Sequence, residues 1–261
     1  MSFLRIRNES RNSVLIKKVY IQEYGHGKME PEYLELKTVL EDRGMSSELF
    51  TTKRLSRNQL DLKPENFLVG DHEVMRTVFK RLGVQVKVDS YPCSLRPYLK
   101  RKVRQIALGK FITESQNGGF YNQFIKPRYD SKSFTGFVVK SNVEYFELSR
   151  KSKHLEIYSS EVVNWLTEYR VFIKHSKIIG VKHYAGDKSI KLNLNEVEKA
   201  INDFDAAKES TAGYGIDFGV LDTGETALVE FNDGFALGSY GLNKDKYADL
   251  ILARWTELMF D

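Results

Sequence analysis

Two apolar runs, Ile216 to Leu221 and Thr226 to Asn232, are separated by Asp222-Thr223-Gly224-Glu225 and read as a β-hairpin. A two-residue turn at Thr223-Gly224 sets Asp222 opposite Glu225 and, five rungs on, Asp217 opposite Glu230. Side chains alternate along a strand, so Asn232 shares a face with Glu230. Like charges directly opposite each other destabilise a ladder unless something positive lies between them. Ile216, Phe218, Leu228, Val229 and Phe231 flank the acids and argue against a freely solvated strand. A hard divalent cation held by Asp217, Glu230 and Asn232 is the economical reading, since Mg²⁺ takes one or two carboxylates together with substrate phosphates. A solvated face with the register slipped by one is the alternative.

The rest of the chain changes rhythm near Ser90. Before it, strand and helix alternate: a strand over Val14 to Gln22 and a helix over Pro31 to Arg43 stopped by Gly44. A short buried strand, Phe67-Leu68-Val69-Gly70, leads to a helix over His72 to Leu82 with Asp71 as its N-cap and Gly83 as its stop. Val84 to Val88 reads as a further strand. This is the pattern of a small parallel α/β unit. After Tyr91-Pro92 the expectation is a helix over Leu95 to Leu108, then strands at Tyr121 to Ile125, Phe134 to Lys140 and His154 to Tyr158. A hairpin of Tyr169 to Lys174 with Ile178 to Tyr184 comes next, then a helix over Leu194 to Lys208, and a last one over Lys244 to Met259. Strands grouped in hairpins between helices define an α+β class. The division expected is 1–90 and 91–261.

Two more clusters carry chemistry. Lys126 ends an apolar strand, Phe124-Ile125-Lys126-Pro127, where a cation suits an anion better than a core. The loop Asp130-Ser131-Lys132-Ser133-Phe134-Thr135-Gly136 follows it with hydroxyls and backbone N–H groups, the kind of donors that cradle phosphate. A solvent-tipped hairpin has the same composition. In Glu168-Tyr169-Arg170, alternation puts Glu168 and Arg170 on one side of a strand. An arginine fork there matches phosphate or carboxylate oxygens, or a surface ion pair.

Composition narrows the class. With 261 residues, 41% of them hydrophobic, the chain can bury a sizeable core. No stretch approaches the ~20 apolar residues of a membrane span. Met1 to Ser10 lacks a secretory h-region, and a lone cysteine, Cys93, forms no internal disulfide; the expectation is a cytoplasmic protein. The net charge of +5 admits a polyanionic partner. The basic stretches lack the interleaved aromatics that stack single-stranded bases, which argues against nucleic acid.

Taken in order, these clusters resemble the ATP-grasp superfamily, and most of all a compact clade named for two arginines and a lysine. The resemblance spans about Tyr91 to Leu242. It implies a two-lobed fold, with lobes of about 91–160 and 161–261, preceded by a small α/β pre-ATP-grasp domain. It implies ATP and Mg²⁺ as cofactors: Lys126, Ser133, Thr135 and Gly136 on the phosphates, Arg101 or Lys102 as a further phosphate-side cation, and Glu161 and Val163 in a hinge that reads adenine. Glu168 joins the nucleotide site, and Asp217, Glu230 and Asn232 hold magnesium. The chemistry implied is that of a carboxylate–amine ligase working through an acyl phosphate, with Arg170 and Lys126 as catalytic residues. Its substrates would be a carboxylate and an amine: amino acids, a peptide or a protein terminus. A kinase on the same fold, or a non-catalytic module that binds nucleotide or nucleic acid, are the alternatives. The loop departs from the family in having no run of glycines. Asp217→Asn is expected to abolish turnover and leave the fold intact.

Overall fold

The computed structural model describes residues 4–8, 11–118, 122–129 and 133–261. Tyr121 and the loop residues Asp130, Ser131 and Lys132 lie outside the described residues, as does part of Met1 to Ser10.

The first third begins with an antiparallel pair, β1 (Leu4–Asn8) and β2 (Arg11–Ile16). A parallel sheet follows, built from β3 (Lys18–Gln22), β4 (Ser47–Phe50) and β5 (Asn66–Val69) in the order β4-β3-β5. The expected strand over Val14 to Gln22 is therefore two strands, broken at Lys17, whose N–H donates to Glu65 O instead. Crossovers run through α1 (Pro31–Asp42) and α2 (Thr52–Ser56), and α3 (His72–Leu82) follows β5. The Asp71 carboxylate accepts from the Glu73 and Val74 N–H groups, and Gly83 closes α3 at φ +74°, a conformation that suits glycine. Val84 to Val88 is not a strand. Its valines pack singly onto the core of this unit. Among the described residues no neighbouring strand runs alongside, and the bridge in this region pairs Asp89 with Tyr129.

The expected helix over Leu95 to Leu108 is also corrected. A 3₁₀ turn spans Cys93–Leu99 with Pro97 inside it, and Lys100 turns the chain at φ +51°. Proline offers no N–H to an α-helical ladder, so the turn cannot propagate. The chain then extends as β6 (Val103–Ala107) and only afterwards coils into α4 (Leu108–Gly118). With β7 (Gln123–Pro127), β8 (Phe137–Val139), α5 (Asn142–Ser149) and β9 (Glu156–Glu161), this makes a small lobe whose sheet has the order β6-β9-β7-β8.

The large lobe is an antiparallel sheet, β11-β10-β12-β13, formed by β10 (Trp165–Lys174), β11 (Lys177–Gly186), β12 (Gly213–Leu221) and β13 (Thr226–Asp233). One face rests on α6 (Leu194–Ala206) through Val197, Ala200, Ile201 and Phe204. The last helix, α7 (Lys244–Phe260), returns to the first unit. Its Trp255 packs edge-on to Phe67, at 5.6 Å between ring centres, and donates to Pro64 O. The core of residues 16–88 is thus closed by the end of the chain. Among the described residues no helix is long and apolar enough to cross a membrane.

Candidate functional site

The free face of the large-lobe sheet carries a row of charge. Arg170 on β10 pairs across to Asp217 on β12, and Asp217 pairs on to Glu230 on β13. Arg170 Nε and Nη2 donate to Asp217 Oδ1 and Oδ2, both at 2.7 Å, and both residues are buried. Asn232 Nδ2 donates to Asp217 Oδ2 at 3.3 Å, which leaves its amide oxygen as an acceptor. Lys126 reaches over from β7 of the small lobe, and its Nζ donates to Glu230 Oε2 at 2.5 Å. The two facing carboxylates are therefore each neutralised by a cation of the chain. The inference that a metal must lie between them to relieve repulsion is corrected on that ground.

The pairing of Asp217 with Glu230 is as expected, but it arises differently. The loop has three residues: Leu221 N donates to Glu225 O, Gly224 N donates to Leu221 O, and Gly224 takes φ +84°. Asp222 does not face Glu225. Phe218 pairs with Leu228 while Asp217 pairs with Glu230, so Val229 is an extra, bulged residue that restores the register.

Charge follows from these contacts. Burial pushes the Glu230 carboxyl up, but the Lys126 ammonium, with Arg170 and the Asn232 amide, outweighs it and holds the group below its ordinary value. Burial likewise opposes the charge on Lys126, and Glu230 overrides it, so the ammonium is raised. Burial lifts the Asp217 carboxyl, against the pull of Arg170.

Two cavities meet at Lys126 and Glu230. The inner one, about 270 Å³, is walled by Gly136, Arg170, Asn232 and Asp233, with His72 and Phe235 behind. The hinge cavity, about 260 Å³, lies between the lobes against Tyr91, Val138, Val162, Val163 and Trp165, with Glu161 at its edge. Its largely apolar walls suit a flat heterocycle; the inner cavity, with the cations Lys126 and Arg170 beside Glu230, Asn232 and Asp233, suits phosphate brought with a metal ion. Glu230 and Asn232 present hard oxygen donors there with Asp217 behind them, a set that fits Mg²⁺, although no three His, Cys, Asp or Glu side chains cluster among the described residues.

Other expected residues fall variously. Gly136 lies so close to the lysine strand that a Cβ there would stand 2.7 Å from Phe124 Cζ and 3.1 Å from Lys126 Cβ. Ser133 is half-buried and Thr135 exposed, and neither lines a cavity. Glu168 shares the face of Arg170 but stands outside both cavities, accepting from Tyr184 Oη at 3.0 Å. Lys102 is 92% exposed and points to Glu161 at 3.7 Å, so the structure does not bring it to the site. Arg101 lines the hinge cavity, but its N–H groups are taken by Ser160, Leu99, Leu228, Tyr91 and Val229. It is not disposed as a phosphate-side cation.

Three further side chains shape the site. The Tyr240 ring lies 4.6 Å from the Arg170 guanidinium. The Tyr91 ring lies 5.2 Å from Lys126 Nζ. Arg254, buried in α7, holds Asp233 with two bonds of 2.6 and 2.7 Å and so fixes one wall of the inner cavity. An arginine within the apolar run Leu250 to Trp255 was the available signal, because a buried charge requires a partner.

Two lobes closing on a cleft, with a cation from one facing carboxylates from the other, define a protein of the ATP-grasp class. Residues 98–250 match the model of an ATP-grasp domain family, the second family of the clade named for two arginines and a lysine; the chain belongs to that family. Comparison with curated protein sequences yields no match. Among solved structures, the chain is similar to a RimK domain protein ATP-grasp from Sphaerobacter thermophilus, with 14% identity over 90% of this chain and 99% of that one and a TM-score of 0.55. The macrocyclase MdnC from Microcystis aeruginosa, bound with precursor peptide MdnA, aligns at 10% identity, 90% and 99% coverage and a TM-score of 0.52. D-alanine–D-alanine ligase from Bacillus anthracis, complexed with ATP, gives 14% identity, 93% and 94% coverage and a TM-score of 0.51. Such identities speak for the shared fold.

Proposed function

We propose that the protein is a Mg²⁺-ATP-dependent carboxylate–amine ligase that works through an acyl phosphate. The observation that carries this reading is the convergence of Lys126, Arg170, Glu230 and Asn232, drawn from both lobes, on one cavity that shares Lys126 and Glu230 with the apolar hinge cavity. Adenine would lie against Val162, Val163 and Tyr91, and the phosphates would run inward past Lys126. Mg²⁺ held by Glu230 and Asn232, with Asp217 behind them, would neutralise phosphate charge. Arg170 keeps its planar fork aligned because Asp217 binds it through two parallel bonds. It can therefore stabilise negative charge on the transferred phosphoryl without reorganising. The acceptor's carboxylate oxygen takes the γ-phosphoryl and ADP leaves. The amine nitrogen then attacks the acyl carbon, phosphate leaves, and the nitrogen gives up a proton. Phe235, Ala236 and Leu237 form an apolar wall beside the reacting centre, and such a wall limits access of water to an acyl phosphate. The amine and carboxylate are proposed as amino acids, a peptide or a protein terminus.

The test is ATP turnover with a panel of amino acids and peptides in the presence of hydroxylamine, which captures acyl phosphates as hydroxamates. The expected outcome is ADP, free phosphate and a hydroxamate that appears only with the right carboxylate. ADP with a stable phosphoester and no free phosphate would replace the ligase by a kinase. Absence of any ATP binding would remove the catalytic reading altogether.

A further inference from the structure

A regular β13 could not serve both faces of its sheet. Leu228 and Phe231 both belong to the core beneath it, three residues apart, whereas side chains that alternate put positions two apart on one face. The bulge at Val229 resolves the conflict. Without it, Glu230 and Asn232 would share the face of Leu228 and point into the core. A bulge leaves ladder groups unmatched, and buried carbonyl oxygens must find donors elsewhere.

Arg101 supplies those donors. Nη1 donates to Leu228 O at 2.6 Å and Nη2 to Val229 O at 3.2 Å. The other N–H groups go to Leu99 O at 3.0 Å, Tyr91 Oη at 3.3 Å and Ser160 Oγ at 3.2 Å. All five N–H groups of the guanidinium thus have protein acceptors, and its Cζ lies 5.6 Å from the Tyr91 ring centre and 5.3 Å from that of Trp165. We infer that Arg101 is a positioning residue: it holds the Val229 bulge and so aims Glu230 into the inner cavity, and it does not bind a nucleotide phosphate itself. The inference rests on the proposed reading of Glu230 as a magnesium-side ligand. A lysine cannot substitute fully, because a compact ammonium with three donors does not span the five acceptors that a planar fork reaches.

The experiment is a double-variant cycle. ATP affinity is measured by titration calorimetry with and without Mg²⁺ for the wild type, Arg101→Lys, Glu230→Gln and the pair, with melting temperatures alongside. Arg101→Lys should cut the magnesium-dependent gain in ATP affinity about tenfold, the scale of one charge-assisted contact. Glu230→Gln should abolish that gain, and the double variant should be no worse than Glu230→Gln alone. Additive losses would mean direct phosphate contact and overturn the inference. A loss equal with and without Mg²⁺ would mean a general structural role and overturn it too. A wild type with no magnesium-dependent gain would bring down the metal-site reading itself, a result distinct from either. If Arg101→Lys does not fold, Val229→Gly loosens the bulge while leaving every arginine in place. The same magnesium-dependent loss should follow, confined to backgrounds that retain Glu230, and an unchanged gain would overturn the inference.

Discussion

Two ion pairs meet at the free face of the large-lobe sheet, one within the sheet and one across the cleft, and they differ in what breaking them does. Arg170 and Asp217 sit within one sheet, joined by two parallel bonds of 2.7 Å, with side chains 8% and 4% exposed. Lys126 and Glu230 come from different lobes, meet through one contact, and are 13% and 32% exposed. A buried bidentate pair has no route back to water, so each partner depends on the other to stay charged in place. A half-open pair across a cleft can exchange partners with an incoming ion at modest cost. The difference separates a fixed pair from an exchangeable one. On the proposed function, the first pair would hold Arg170 fixed for its work on the phosphoryl, and the second would release Lys126 to phosphate and Glu230 to a cation when a nucleotide enters.

The largest effect expected from this contrast is on stability. Arg170→Met leaves Asp217 buried without its partner and should cost about 3–5 kcal/mol in urea unfolding. Asp217→Asn falls in the same class, so the sequence-based expectation of an intact fold gives way to one of a strongly destabilised protein. The double variant Arg170→Met/Asp217→Leu should regain most of that stability with no turnover. A single-variant loss below about 1 kcal/mol, the range of exposed pairs, would erase the distinction between the two pairs.

The bridging pair should behave differently. Lys126→Met is expected to cost about 1–3 kcal/mol, less than Arg170→Met, because Glu230 keeps partial access to water. Its ATP turnover should nonetheless fall about 10²–10³-fold, the loss typical of one preorganised charge in a dry site. Urea unfolding and phosphate release on the same preparation check both halves. A variant that unfolded as readily as Arg170→Met would show that the two pairs are alike after all.

Much of this site can be read in the sequence, though partly through offsetting errors. The pairing of Asp217 with Glu230 follows from a two-residue turn on paper; in the molecule a three-residue loop shifts the register and the Val229 bulge shifts it back. The signal for the bulge was present, since Leu228 and Phe231 cannot both face the core of a regular strand. Pro97 likewise stood against a helix over Leu95 to Leu108. Lys126 is recognisable as a cation at a strand end, but its partner is 104 residues away on another lobe, and no local pattern encodes that. Arg101 shows the limit most clearly. Its position suggested a phosphate ligand, and only the placement of five acceptors from four segments reveals a fixed structural group.

The smallest effect should appear on the acid side. Without nucleotide or metal, Glu230 is held below its ordinary carboxyl value of 4.5, because Lys126, with Arg170 and the Asn232 amide, outweighs the penalty of burial. A carboxyl depressed in the folded protein adds stability that is fully present above its unfolded value and is lost as pH falls through its folded one. The gap in urea stability between the wild type and Glu230→Gln should therefore be flat from neutral pH down to about 5 and then shrink with further acid. Burial acting alone would raise the carboxyl and reverse this sign, so that acid would favour the wild type. A gap that moved in the wild type's favour below about pH 5 would mean that Lys126 and its neighbours Arg170 and Asn232 do not hold Glu230 in solution, as an open bridge between the lobes would require.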